Sequence, residues 1–91
     1  MIAEAYVETS TPSKYINRLC KHFAHKVIVN YDENHGEINF KIGKGYIEKV
    51  MDGLKLKAEA NNQTDLQEVI DIMDRHFVRI AWQEELILNW Q

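Results

Sequence analysis

Within eight positions, Leu19-Cys20-Lys21-His22-Phe23-Ala24-His25-Lys26 gathers the only cysteine, two of the four histidines and an aromatic residue. Imidazole nitrogen and thiolate sulfur are good ligands for zinc or iron, so the spacing C-x-H-x-x-H invites a metal reading. His22 and His25 are three apart, and on a helix their side chains can be neighbours. Cys20 sits on a different helical face, so Cys20, His22 and His25 cannot all meet one ion while the helix stays regular. A further ligand would have to come from His35, Glu37 or His76. Nucleophilic catalysis by Cys20 would need an exposed thiolate beside a base. Its neighbours Lys21 and His22 point elsewhere on a helix. The adjacent Glu84 and Glu85 read as solvated charges, and Gly43-Lys44-Gly45 is too short for a phosphate loop. No catalytic constellation emerges, and a binding role is expected over an enzymatic one.

The elements that position these residues follow from periodicity. Ala3, Ala5 and Val7 alternate with Glu4, Tyr6 and Glu8, as in a strand. Thr11 can cap a helix whose first turn holds Pro12. Ile16, Leu19, Cys20 and Phe23 then form one apolar stripe, with His22 and His25 on its flank and far side. A four-strand meander follows. A loop over Asp32–His35 sets Val29 opposite Ile38, a Gly43-Lys44 turn sets Phe40 opposite Ile47, and an Asp52-Gly53 turn sets Met51 opposite Leu54. These registers place Val27, Val29, Ile38, Phe40, Ile42, Ile47, Met51, Leu54, Leu56 and Ala58 on one face. Lys49 falls on the same parity. It either sits near a sheet end with its ammonium in water or serves as a charged hook in a crevice, and a bulge reversing the parity is a third alternative. Thr64 and Gln67 have capping-box spacing before a second helix, whose apolar face is Leu66, Val69, Ile70, Met73, Phe77 and Ile80. Residues 86–90 read as a last strand.

The expected fold is therefore α+β, a two-layer sandwich in the order β-α-β-β-β-β-α-β. Its sheet is mostly antiparallel and both helices lie on one face. The other face would carry Tyr6, Ile28, Tyr46 and Val50 among charges, a surface that could pair two copies in a homodimer. Phe23, Phe77, Trp82 and Trp90 could line a crevice between the layers, with His22, His25 and Lys49 as polar contacts to a ligand.

Composition narrows the function classes. The 91 residues, with hydrophobic and charged fractions of 45% and 27%, fit one globular domain over 1–91. A net charge of −3 argues against general nucleic-acid binding. One cysteine forms no internal disulfide, and no apolar run reaches the roughly 20 residues that span a bilayer. The first residues lack the pattern of a secretory signal, so a cytoplasmic protein that avoids membranes is expected.

The segment 19–26 resembles a bacterial family, domain of unknown function 2218. The likeness continues through His35-Gly36-Glu37-Ile38-Asn39-Phe40 and Asp52-Gly53-Leu54, and ends with Arg79-Ile80-Ala81-Trp82-Gln83-Glu84-Glu85-Leu86 and Trp90. Phe23 stands where members often have Trp. Some members look like an extra domain on siderophore-interacting, flavin-dependent ferric reductases. The resemblance thus implies a role in siderophore-iron handling, with such a reductase or a ferric siderophore as partner. It gives no residue a catalytic role.

Overall fold

The computed structural model describes Met1 through Gln91 and confirms the two-layer α+β arrangement. The elements are β1 (Ile2–Glu8), α1 (Pro12–Phe23), β2 (Ile28–Tyr31), β3 (His35–Asn39), β4 (Gly43–Val50), β5 (Gly53–Ala60) and α2 (Gln63–Ile80). The sheet order is β1-β5-β4-β3-β2, and every neighbouring pair is antiparallel. Both helices cover the same face, α1 over β2, β3 and β4, and α2 over β5, β4 and β1. Between the layers, Ala5, Ile38, Ile47, Leu54, Leu56 and Ala58 meet Ile16, Leu19, Cys20, Val69, Met73 and Phe77. No helix is long and apolar enough to cross a membrane.

The helix starts obey backbone hydrogen-bond accounting, though not as expected. Thr11 gives no side-chain cap to α1, and its own N–H donates instead to Thr9 Oγ1 at 3.1 Å. Pro12, at the helix start, has no N–H to leave unsatisfied. For α2 the cap is Asn62 rather than Thr64. Its Oδ1 accepts the Asp65 N–H at 2.9 Å, and its Nδ2 donates back to the Asp65 carboxylate at 3.0 Å.

Two expected turns are displaced. Val29 does face Ile38 across the Asp32–His35 loop. The next hairpin turns at Lys41-Ile42, so Ile47 faces Gly36 and Ile38 faces Gly45. The third turns at Met51-Asp52, so Lys49 faces Leu54 and Glu48 faces Lys55. The glycines that suggested turns lie inside strands for a different reason. A Cβ on Gly43 would collide with the Glu59 carbonyl, and one on Gly53 with the Val7 carbonyl. The strand pairings shift by four and two residues, so side-chain parity survives and the expected face stays apolar. Met51 is the exception, at 98% exposed in its turn.

The expected last strand does not form. The chain turns after α2 through Glu85, whose φ is 51°, and returns to the β1 edge. There only Glu4 and Gln91 exchange backbone hydrogen bonds, at 2.9 and 2.8 Å. Side chains hold this tail instead: Leu88 is buried, and Trp90 Nε1 donates to Asp74 at 3.1 Å.

Candidate functional site

Cys20 lies in the middle of the interlayer core and is fully buried. Burial pushes its thiol up to about 12, so it is neither a nucleophile nor a ready thiolate ligand at neutral pH. Its sulfur occupies the space over Gly36, where any Cβ would overlap it. The residue that looked most reactive packs helix on sheet.

The histidines part company with it. His25 is exposed in the turn after α1, whereas His22 is half-buried at the last turn of that helix. Cys20, His22 and His25 do not converge, and no cluster of three His, Cys, Asp or Glu side chains in the fold is placed to hold a metal ion. The helical geometry that separates Cys20 from His22 is the reason.

Instead His22 faces His76 across the two helices, with ring centres 5.0 Å apart. Phe23 lies beneath this pair, 4.8 Å from His76 and 5.2 Å from Phe40. His76 Nδ1 is 2.7 Å from the Ile72 carbonyl, a contact it makes as donor, with a proton on Nδ1. His22 Nε2 is enclosed and has no hydrogen-bond partner. The His22 pKa is held below the usual imidazole range, first by burial and then by the positive charges of His76, Lys26, Arg79 and His25.

That positive surround extends along the helix layer. From Thr9 to Tyr31 the chain has Lys14, Arg18, Lys21 and Lys26, two histidines and no carboxylate, in a protein of net charge −3. Arg18, Lys21, His25, Lys26 and, on α2, Arg75 and Arg79 are all exposed. α2 carries Asp65, Glu68, Asp71 and Asp74, and Glu4, Glu37, Glu48 and Glu59 lie on the helix-free sheet face. There Lys55 bridges Glu48 at 2.9 Å and Glu4 at 3.6 Å, Lys44 pairs with Glu37 at 3.1 Å, and Tyr46 donates to Glu59. The sheet face pairs these cations with its own acids; on α1, Lys14 reaches Glu84 at 3.9 Å, while Arg18, Lys21 and, beyond the helix, Lys26 make no ion pair.

Lys49 belongs to neither set. It is exposed at the end of β4, where its N–H bonds the Asn34 carbonyl, and it lines an open polar groove with residues 8–14 and 50–53. This groove is at the start of α1. His22 lies ten residues further along, about 15 Å at 1.5 Å rise per residue. The structure therefore does not bring Lys49 to the histidines. Its ammonium sits at a sheet end, in water, as the milder of the sequence readings has it. The aromatic residues also disperse. Phe77 is buried against Tyr15, Trp82 is 69% exposed, and Trp90 anchors the tail.

Sequence reasoning named His22 but left His76 only as a distant alternative, and it missed Lys26 and Arg79. The signal available was the acid-free segment, which composition of the whole chain conceals.

The model of a family described as "Uncharacterized protein conserved in bacteria (DUF2218)" matches residues 4–91. The solved NMR structure of PA4090 from Pseudomonas aeruginosa is similar, with a TM-score of 0.76 and 26% identity. The match covers 99% of this chain and 93% of that one. No curated protein matches the chain.

Proposed function

The chain belongs to the bacterial family DUF2218, and from the cations left without ion pairs around its histidine pair we propose that it is a small non-catalytic binding domain for an anionic ligand. The ligand docks at the end of the helix layer formed by His22, His25, Lys26, His76 and Arg79. One observation carries this reading: a half-buried histidine pair with Lys26, Arg79 and His25 as charged neighbours, of which neither Lys26 nor Arg79 makes an ion pair. An unneutralised positive surface draws anions and raises their local concentration. An anionic iron chelate, the ligand class that the family resemblance implies, has the required sign. A siderophore-interacting reductase would then be the partner that receives it in the cytoplasm.

Calorimetric titration with citrate and with ferric citrate at low ionic strength tests the reading. Saturable binding should weaken at least tenfold in Lys26→Glu/Arg79→Glu. It should hold in Lys49→Glu, which reverses a charge remote from the histidines. Equal losses in both variants, or no saturable binding by folded protein, contradict it.

Self-association through the open sheet face is the second reading. Tyr6 on β1 and Ile28 on β2 are exposed, but they occupy opposite edges of the sheet. The charged rows between them are already paired. A Tyr6→Glu/Tyr46→Glu variant should convert a dimer to a folded monomer if this face is the contact.

A further inference from the structure

The two edges of the sheet are finished differently. On the β1 edge the tail pairs with Glu4 through Gln91. On the opposite edge no strand lies beside β2. Asp32 N–H donates to the His35 carbonyl at 2.9 Å, which makes 32 and 35 a bonded pair at the end of the β2–β3 ladder. Bonded and unbonded pairs alternate along an antiparallel ladder, so Asn30 with Glu37 and Ile28 with Asn39 are the next bonded pairs. The N–H and C=O groups of Val29 and Tyr31 therefore point away from β3, and no turn or loop bond takes them up.

Sheet edges are blunted against further pairing by charges, proline, bulges or shortness. From Val27 to Tyr31 there is no charge and no proline, and the pairing to β3 runs without a bulge. Only its length of four residues restrains β2. Ile28 is 73% exposed beside the open amides, and Tyr31 is exposed as well. Such an edge is a template for another strand.

The flanking charges select the occupant. His25 and Lys26 precede the strand, Asp32 and Glu33 follow it, and all four are exposed. Antiparallel pairing of two copies sets the basic entrance of each β2 beside the acidic exit of the other, whereas parallel pairing sets like beside like. Within its own turn Asp32 meets the N–H groups of Asn34 and His35, and the His35 ring, through Oδ1. Its second oxygen is left for another partner. The register follows from the same charges. With the pairing centred on Val29, this residue exchanges two backbone bonds with its copy, Ile28 lies opposite Asn30, and Lys26 opposite Asp32. A centre at Asn30 would instead set the apolar Ile28 against Asp32.

We propose that β2 is a self-association edge, at which two copies pair antiparallel about Val29 and join two five-strand sheets into one. The arrangement is twofold and closed, so assembly stops at the dimer. The contact is short, and the dimer dissociates on dilution. It uses the strand edge rather than the open sheet face, and it does not require a bound anion. Lys26 also borders the histidine pair, so Val29 and Asp32, which the anion reading does not use, carry the test.

Sedimentation equilibrium up to about 1 mM protein should show a reversible monomer–dimer equilibrium. Val29→Pro removes an outward N–H, a change an edge strand tolerates on its solvent side, and should weaken the dimer at least tenfold. Asp32→Asn keeps an acceptor for the turn and removes the charge, and should weaken it two- to tenfold. Tyr6→Glu/Tyr46→Glu should change it less than twofold. In a mixture of labelled and unlabelled wild-type chains, isotope-filtered NMR should show an intermolecular contact between the α protons of Ile28 and Asn30, an unbonded pair in this register. That readout does not depend on how the proline variant folds. A monomer at every concentration overturns the proposal, as does a dimer that a folded Val29→Pro leaves intact. Loss of the dimer in Tyr6→Glu/Tyr46→Glu, or intermolecular contacts that omit β2, moves the interface to the sheet face and also overturns it.

Discussion

Replacing Gly36 by alanine should destabilise the fold through Cys20, and replacing Cys20 should relieve the damage. A Cβ on Gly36 overlaps the Cys20 sulfur and comes within 3.2 Å of Tyr31 Cβ and 3.3 Å of the Ile47 side chain. Overfilling a packed core costs roughly 1–3 kcal/mol. Restricting the unfolded chain by Gly→Ala returns about 0.4–1 kcal/mol. A net loss of about 1–2 kcal/mol follows, which is roughly 4–15 °C in melting temperature for a domain of this size. Cys20→Ala alone removes one buried heavy atom and should cost about 1–2 kcal/mol. In Cys20→Ala/Gly36→Ala the new methyl enters the space the sulfur vacated. The double variant should then be no less stable than Cys20→Ala, with a coupling energy of about 1–2 kcal/mol. Urea denaturation of the four proteins measures that cycle. Additivity within about 0.5 kcal/mol would refute the claim that the cysteine acts by packing against Gly36.

Three further outcomes follow from other contacts. Folding holds His22 neutral more strongly than the unfolded chain does, so the unfolded state binds the extra proton. Stability should therefore be full above about pH 6.5 and decline as pH falls below it, and His22→Gln should flatten the decline in urea midpoints between pH 8 and 5. Leu88→Ala should cost about 2–3 kcal/mol by thermal denaturation, because the tail is held by that buried side chain and not by a strand ladder. Lys55→Ala should cost less than about 1 kcal/mol, and less again in high salt, since its bridges to Glu48 and Glu4 are solvent-facing.

How far these features were legible depends on which physical signal carries each. The apolar stripes of α1 and α2 and the parity of the meander are period signals, and the parity survived two misplaced turns because both strand pairings shifted by an even number of residues. The turns themselves were misread because Gly43 and Gly53 look like turn formers, while their role is close backbone approach across the sheet. Asn62 was passed over as a cap because Thr64 and Gln67 have the more familiar spacing. Residues 86–90 are apolar enough for a strand, but Leu88 and Trp90 dock the tail by side chains, and periodicity does not separate those cases. At the site, the burial of Cys20 followed from its stripe. The pairing of His22 with His76 joins residues 54 apart in the chain and depends on helix–helix placement, which no local pattern records.

The most direct test of the account is an amide NMR titration of the wild-type protein with citrate at low salt. Saturable shifts should concentrate at residues 21–26 and 75–80, leaving Lys49 and the Tyr6–Tyr46 sheet face unmoved. Shifts centred on residues 8–14 and 49–53, or scattered along every exposed lysine, would contradict a binding site at the His22–His76 end of the helix layer.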